Sequence, residues 1–242
     1  MPFMFGIPDM SRRSIQREMM DDHSTDEGML YRTLGQFAFI NRCISRTHVL
    51  FRRVFYSDMK KRGLSRVTVM DIGAGGGHFA RWCVGFLKRR GIAPRLICID
   101  NDQRVIGYLR HACEDFPEIE IVNASALKPV AAAGRADYVV ATHLLHHFND
   151  ESIPEVITGA FEAARYGLLI NDLVRHPLAY MGFSLLAGVF FRRGFTLSDG
   201  LLSIKKGFTS EEVRRYILRA GLAGRVAVGR SALGHVYLHA VK

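Results

Sequence analysis

The stretch that decides the fold runs from Val69 to Ala80 and reads VMDIGAGGGHFA. An apolar run leads into the acid Asp71, and four of the five residues from Gly73 to Gly77 are glycines. A loop with so few side chains lets backbone N–H groups and a helix N-terminus approach an anionic or polar ligand. The segment therefore predicts a strand, a ligand-binding loop and a helix, in that order.

Two common glycine loops fit this stretch poorly. The phosphate-binding P-loop has Lys-Ser/Thr after its glycines, whereas His78 and Phe79 stand there in this chain. The dinucleotide fingerprint G-x-G-x-x-G/A keeps its sixth place small. Counted from Gly73 that place is His78, and counted from Gly75 it is Ala80, which fits only loosely because the turn then begins late.

Short apolar runs, typical of strands covered on both faces, surround the loop. They are Arg66–Met70, Arg95–Ile99, Ile119–Asn123, Asp137–Ala141 and Gly167–Ile170. Helical patterns lie between them at Gly77–Arg90, Gln103–Phe116 and Ser152–Arg165. Such alternation predicts a parallel sheet with right-handed crossovers.

The end of the chain follows a different pattern. Thr209 is suited to cap a helix that continues to Ala220. Arg225–Val228 and Val236–Val241 then form two strand patterns joined by a tight connection around Ser231–Gly234, which predicts an antiparallel hairpin. The expected fold is α/β: a doubly wound, seven-stranded, mostly parallel, Rossmann-like sheet with an antiparallel C-terminal hairpin.

Two further regions flank or interrupt the predicted domain at 66–242. Residues 1–65 are expected to be a mostly helical extension or cap. Residues 174–207 are too long for an ordinary connection and predict an inserted lid. Within the lid, Leu178–Phe191 is an uncharged run of 14 residues, shorter than the roughly 20 that a membrane-spanning helix needs. This run has three possible roles: a lid over the site, which we favour, then a dimer face, then a peripheral membrane contact.

Composition limits the class of protein. The 242 residues include 48% hydrophobic ones and carry a net charge of +10, which would suit a nucleic acid or an anionic membrane. The basic residues are spread along the chain, so a solvated basic face is the simpler interpretation. The cysteines have no metal-ligand spacing, and we predict no metal, free thiols and a reducing cytoplasm. They are Cys43, Cys83, Cys98 and Cys113.

The pattern D-x-G-x-G-x-G at Asp71, Gly73, Gly75 and Gly77 resembles motif I of class I methyltransferases, which use S-adenosyl-L-methionine (SAM). The resemblance implies that the glycines admit the methionine part of SAM and that Asp71 orders the loop. It also implies that Asp100, at the tip of the next strand, accepts hydrogen bonds from the ribose hydroxyls. NAD enzymes share such an acid, so Asp100 separates the two cofactors poorly.

The segment NASAL, Asn123–Leu127, ends the third strand, where the family usually has an acid that meets the adenine amino group. Ser125 stands at that place here, and the resemblance puts Ser125 and Ala126 beside the adenine. The other residues expected at the cofactor are Ala74, Asn101, His143 and Arg42. Arg42, with Asn41, matches the N-terminal pattern of a bacterial subgroup associated with polyketide or lipid-like secondary metabolism.

After the fourth strand, HHFNDE, His146–Glu151, resembles the H-x-W-x-D-E stretch of small-molecule O-methyltransferases, with Phe148 in place of Trp. In that family the His is the base, which implies that His146 takes a proton from the acceptor. His147 is expected to pack against the sheet or to touch the acceptor. The other predicted acceptor contacts are His176, Tyr180 and Phe183.

These features predict a SAM-dependent methyltransferase that acts on a small, apolar or aromatic acceptor, by O-methylation in bacterial secondary metabolism, as a monomer or homodimer. C- or N-methylation of a small molecule remains an alternative. A nucleic-acid methyltransferase is disfavoured, because the place of its Asn/Asp-Pro-Pro-aromatic tetrad is held by residues 142–145, THLL. A SAM-binding protein without catalysis is the remaining alternative.

Overall fold

The computed structural model describes residues 8–190, 194–231 and 234–242, without the side chains of residues 42, 43, 189 and 190. The predicted apolar run ends at Phe191, which lies outside the described residues, and so does the side chain of Arg42. All other residues that the sequence places at a site lie inside them.

A single seven-stranded sheet forms the centre of the described chain, with the strand order β3-β2-β1-β4-β5-β7-β6. Its strands are β1 Arg66–Ile72, β2 Ala93–Asp100, β3 Ile119–Asn123, β4 Ala136–Thr142, β5 Ala164–Leu173, β6 Ala227–Ser231 and β7 His235–Val241. The first five strands are parallel, and β7 pairs antiparallel with both β5 and β6. The predicted fold class and C-terminal hairpin are confirmed.

Ten α-helices lie among the described residues. They are α1 Glu27–Ile40, α2 Thr47–Phe51, α3 Ser57–Lys61, α4 His78–Lys88, α5 Gln103–Ala112, α6 Pro129–Ala133, α7 Ile153–Ala163, α8 Pro177–Phe190, α9 Thr196–Lys206 and α10 Ser210–Arg219. Two π-helical turns, Asn41–Ser45 and Arg52–Tyr56, join α1, α2 and α3.

The sheet is covered on both faces, as its apolar strands require. Along β1, Val67 and Val69 pack into one core cluster, whereas Met70 and Ile72 pack into the other. This follows from the two-residue period of a strand. The first cluster includes residues of α2 and α4, and the second includes residues of α7 and α10.

The N-terminal region differs in part from its predicted helical form. The first α-helix begins only at Glu27, where Asp26 caps it by accepting a hydrogen bond from the Met29 N–H. Before it, the described chain contains only a short 3₁₀ turn, Met19–Asp21. We call residues 8–26 the N-terminal strap, because they lie against the turn after β4 and against α9 instead of forming a helix of their own.

The end of the chain forms as its capping residues require. Thr209 and Glu212 form a reciprocal capping box at the start of α10, a motif that fixes a helix N-terminus. The sixth strand starts at Ala227, two residues later than predicted. The N–H groups of Arg225 and Val226 donate to the Leu222 carbonyl instead, and this turn delays the strand.

The inserted region between β5 and α10 consists of α8 and α9. Helix α8 contains no charged residue, and Leu178, Met181 and Leu185 on it are exposed. Within the described ranges, none of the helices combines the length and the apolar character needed to cross a membrane.

Candidate functional site

The glycine loop lies between β1 and α4, with Gly73, Gly75 and Gly77 at φ values of +70°, +50° and +68°. A Cβ atom at Gly77 would lie 2.4 Å from Leu109 Cδ1, and one at Gly73 would lie 2.7 Å from Leu144 Cδ1. A Cβ atom at Gly75 would have no neighbouring heavy atom within 4 Å. Packing therefore requires two of the glycines, and the third keeps open space beside the loop.

Two acids lie beneath this loop. Asp100 Oδ2 accepts a hydrogen bond from the Gly75 N–H at 3.0 Å, and its Oδ1 accepts one from the Asp102 N–H at 3.2 Å. Burial raises the pKa of Asp100 despite these bonds. Burial and the nearby charge of Asp100 raise the pKa of Asp71 to about 7. The predicted ordering of the loop by Asp71 is not seen, because the carboxylate that binds the loop is that of Asp100.

One continuous cleft of approximately 2490 Å³ follows the carboxyl ends of the five parallel strands. Small-molecule pockets usually measure about 300–1,000 Å³, so this cleft has room for two ligands. Gly75, Asp100 and Ser125 line it beside β1, β2 and β3, whereas His146 and His176 line it beside β4 and β5.

A buried Asp–His pair lies on the β4–β5 side of the cleft. His146 Nδ1 is 2.7 Å from Asp172 Oδ1, and each side chain is no more than 2% exposed. Asp172 also accepts hydrogen bonds from the N–H groups of Leu145, His146 and Leu173. Burial raises the pKa of Asp172, but the charge and hydrogen bond of His146 outweigh burial and hold that pKa well below its usual range. The pair thus keeps a proton on Nδ1, between its two members, and in the neutral imidazole Nε2 is the nitrogen that can accept a proton.

The N-terminal strap brings a second carboxylate to this histidine. Glu18 Oε1 lies 3.7 Å from His146 Nε2 and 3.0 Å from Lys206 Nζ. Glu18 and Lys206 are both buried, and both line the cleft together with His146. The polar groups at this end therefore come from the strap, from the turn after β4, from β5 and from α9.

Hydrogen bonds fix the strap in place. Arg13 Nε donates to the Lys206 carbonyl at 2.8 Å, and the Arg13 guanidinium lies 4.4 Å from the centre of the Phe208 ring. The Asp199 carboxylate accepts the N–H groups of Met19 and Met20 at 3.0 and 2.9 Å. Because these contacts lie on both sides of Glu18, they determine where its carboxylate sits.

The two neighbouring histidines of the HH pair have different surroundings. His147 points away from the core, and its Nδ1 lies 3.2 Å from Asp21 Oδ2 of the strap. Burial lowers the pKa of His147, but the hydrogen bond to Asp21 and the charges of Glu18 and Asp21 together raise it. The prediction that His147 packs against the sheet is wrong, because His146 holds the buried position beside Asp172.

His143 joins the fourth strand to the last one. Its Nε2 lies 2.9 Å from His235 Nε2, and the two rings stack. Burial, followed by the charge of His235, lowers the pKa of His143 to about 3. His143 lines the cleft as predicted, but this ring nitrogen is occupied by His235.

A match to a known protein family identifies the class of enzyme. The family model described as a methyltransferase domain matches residues 69–167, from β1 into β5. The chain carries a class I SAM-dependent methyltransferase domain. No curated protein matches the chain by sequence.

Solved structures of methyltransferases share the fold. Magnesium protoporphyrin IX methyltransferase from Synechocystis is 15% identical over 80% of this chain and 81% of its own, with a TM-score of 0.51. An O-methyltransferase family protein from Burkholderia thailandensis is 20% identical over 73% of this chain and 51% of its own, with a TM-score of 0.52. The CurJ carbon methyltransferase is 16% identical over 79% of this chain and 53% of its own, with a TM-score of 0.56.

The residues at the β1–β3 side of the methyltransferase cleft fit SAM. The open space at Gly75 leaves the loop accessible to a ligand. Asn41 Oδ1 is buried without a hydrogen-bond partner in the described part of the chain, and Asn41 lines the cleft. As an acceptor, this oxygen suits the ammonium group of a methionine moiety. The Asp100 carboxylate suits the hydroxyls of a ribose.

The other predicted cofactor residues of the domain surround the same space. Ala74, Asn101 and Ser125 line the cleft, as does the buried Ala126. Ser125 Oγ accepts a hydrogen bond from the Leu127 N–H at 3.2 Å, so its hydroxyl hydrogen remains available to an acceptor such as an adenine ring nitrogen.

The predicted acceptor residues divide into two groups. His147, His176 and Phe183 line the methyltransferase cleft, whereas Tyr180 is not among its lining residues. His176 Nδ1 accepts a hydrogen bond from the Leu178 N–H at the start of α8. Phe183 packs closely over Gly200, where a Cβ atom would lie 2.3 Å from its ring. Phe183 therefore joins α8 to α9 as well as lining the cleft.

Sequence reasoning missed three residues of this domain's cleft: Glu18, Asp172 and Lys206. Asp172 was detectable in principle, because it follows the apolar run of β5 and acids at such strand ends face the ligand edge. No comparable signal marked Glu18 or Lys206, which meet only after the strap has folded across α9.

Proposed function

We propose that this methyltransferase transfers the methyl group of SAM to a hydroxyl of a small, apolar or aromatic acceptor. The observation that carries the proposal is the buried His146–Asp172 pair, which faces the same cleft as the glycine loop. A base is needed where a hydroxyl must lose its proton during attack. Histidine is the side chain whose ordinary pKa lies nearest neutrality.

When bound, SAM supplies an electrophilic methyl group whose bonding electrons stay with its sulfur. His146 Nε2 accepts the hydroxyl proton while the oxygen uses an electron pair to form the new bond to carbon. Asp172 stabilises the imidazolium that results, because its carboxylate already holds the Nδ1 proton. The walls of the cleft align the acceptor oxygen with the methyl group, which is the main entropic part of such catalysis.

Apolar side chains of the inserted lid support a hydrophobic acceptor. Ala179, Phe183 and Leu186 of α8 and Ile204 of α9 line the cleft. A site of this kind suits an aromatic or acyl-bearing molecule better than a nucleic-acid strand, which calls for basic and stacking groups along an open groove. The flanking sequences support a place in bacterial secondary metabolism, and the free thiols of Cys83, Cys98 and Cys113 support a cytoplasmic enzyme.

C-methylation of an activated ring or enol is the second candidate, since the same base would remove the proton. N-methylation gains less from a buried Asp–His pair, because a neutral amine already offers its electron pair. The pair therefore favours an oxygen or carbon acceptor.

The decisive experiment has two stages. Calorimetric titration with SAM, its demethylated product and NADH establishes the cofactor. We expect SAM and its demethylated product to bind with micromolar affinity and NADH not to bind. Incubation with methyl-labelled SAM and matched naphthol, naphthylamine and naphthyl methyl ether then identifies the acceptor atom. We expect label on the naphthol oxygen, and label on the amine alone would refute O-methylation.

A further inference from the structure

The acceptor end of the cleft offers two hydrogen-bond acceptors side by side. His146 Nε2 and Glu18 Oε1 are 3.7 Å apart, which is too long for a hydrogen bond between them. In the neutral imidazole with its Nδ1 proton on the Asp172 side, Nε2 carries a lone pair, and an ionised carboxylate offers only lone pairs. Lys206 Nζ already donates to Glu18 Oε1, so Nε2 needs a donor from a ligand and the carboxylate can accept a second one on its remaining lone pairs.

A ligand with a single hydroxyl cannot satisfy both groups, because it has one hydrogen to donate. Two hydroxyls on neighbouring carbons point two donors in roughly the same direction, with a separation close to that of the two acceptors. Lys206 Nζ, 3.0 Å from Glu18 Oε1, neutralises the carboxylate and leaves further donors for the oxygen of the second hydroxyl. Buried charges are tolerated only with such partners.

We propose that Glu18 and Lys206 are specificity-determining residues and that the enzyme takes an acceptor with two adjacent hydroxyls, a catechol or a vicinal enediol. This inference rests on the proposed function, since it assigns the hydroxyl at His146 Nε2 to methylation. The second hydroxyl donates to Glu18 and stays unmethylated. Methylation removes the hydrogen that Nε2 accepts, so the monomethyl product loses one of its two anchors and leaves.

The strap makes this arrangement a specific one. Its contacts with Lys206 and Asp199 hold the strap on both sides of Glu18, and Lys206 Nζ holds the carboxylate itself. A buried polar group left without its partner costs binding energy, and this cost discriminates against simple phenols.

The test measures binding to the full-length protein without SAM, which separates it from the proposed function. The probes are a naphthalene diol with adjacent hydroxyls, naphthol and the monomethyl ether of the diol. We expect the diol to bind about tenfold or more tightly than either of the others. Equal affinities for the three probes would overturn the proposal, whatever the outcome of the SAM and methyl-transfer experiments.

Variants locate the preference. Glu18→Gln keeps the shape but removes the charge, and it should reduce the diol-to-naphthol affinity ratio severalfold, because naphthol then no longer leaves a buried carboxylate without a second donor. The double variant Glu18→Leu with Lys206→Met removes both partners, avoids an unpaired buried charge and should bring the ratio close to one. Glu120→Gln breaks the exposed pair with Arg95 and serves as the matched control with the wild-type ratio. Retention of the wild-type ratio in both Glu18 variants would contradict the assignment.

Discussion

At the cofactor end of the cleft, most of the groups come from neighbouring strands. The glycine loop follows β1, and Asp100 ends β2, which pairs with every residue of β1. At the acceptor end, Glu18, His146, Asp172 and Lys206 come from four segments spread over most of the chain. One end is therefore specified by a local motif and the other by the way distant segments pack.

This difference has a chemical consequence. A loop held by backbone geometry and one acid can bind the same cofactor in many enzymes, since it depends little on the rest of the fold. The acceptor end depends on the strap and on α9, the parts of the chain that lie outside the alternating strand and helix pattern. The cofactor is thus set by the common fold, and the acceptor is set by what has been added to it.

The largest effect is expected at His146. His146→Ala removes the proton acceptor and should lower the methyl-transfer rate about 10²- to 10⁴-fold. Binding of SAM should stay unchanged, because the cofactor end does not depend on this ring. Single-turnover rates and calorimetry measure the two quantities separately. A rate near that of the wild type would remove His146 as the base.

Asp172→Asn tests the same pair from its other member. An amide at this position can donate a hydrogen bond to Nδ1 and so favours the wrong tautomer of His146. We expect a fall in rate of about 10²-fold or more with SAM affinity retained. An equal loss of SAM affinity would mean that the two ends of the cleft are not independent.

The glycines sharpen the comparison within the cofactor end. Gly77→Ala puts a Cβ against Leu109 in a left-handed backbone, and should lower the free energy of unfolding by about 2–4 kcal/mol. Gly75→Ala has the same type of backbone but open space, so its cost should be about 1–2 kcal/mol. For SAM affinity we expect the opposite order: Gly75→Ala should weaken binding more than Gly77→Ala, because a Cβ at Gly75 would occupy the open space beside the loop. Denaturant melts of both variants measure the first effect, and equal destabilisation would contradict this account.

Asp100→Ala should weaken SAM binding by about 1–3 kcal/mol, because the ribose hydroxyls and the Gly75 N–H lose a charged acceptor. Ser125→Ala is the matched comparison on the next strand and should cost less, since its hydroxyl is neutral. Calorimetric titration with SAM measures both. An unchanged affinity in the Asp100 variant would refute its assignment to the cofactor.

The last prediction concerns how the stability of the fold depends on pH. The pKa of Asp71 in the fold is about 7, against an ordinary value of 3.8. The folded chain therefore holds this proton more tightly, and stability is lost as pH rises between these values. Asp71→Asn cannot ionise and should flatten that decline. Thermal melts near pH 5 and near pH 8 check this, and parallel curves for both proteins would contradict it.

The two ends also differ in how far the sequence predicts them. The strands around the loop and the C-terminal hairpin follow from the apolar periods and from Thr209, and all are present. His146 was found through a short motif, but the same motif gave no reason to place His147 toward the solvent side. Neither Glu18 nor Lys206 was predictable, because no period or motif encodes a contact between segments that are 188 positions apart.

The strap has a consequence for how the protein comes to be active. Arg13 meets the carbonyl of a residue 193 positions away, and contacts between such remote positions form late in folding because closing a long loop costs entropy. The glycine loop, Asp100 and Ser125 are placed by β1, β2 and β3, which follow one another along the chain. During synthesis, a growing chain can therefore acquire a place for the cofactor well before it has an acceptor site. Selectivity for the acceptor is the last property to appear, and it marks a chain that has folded to completion.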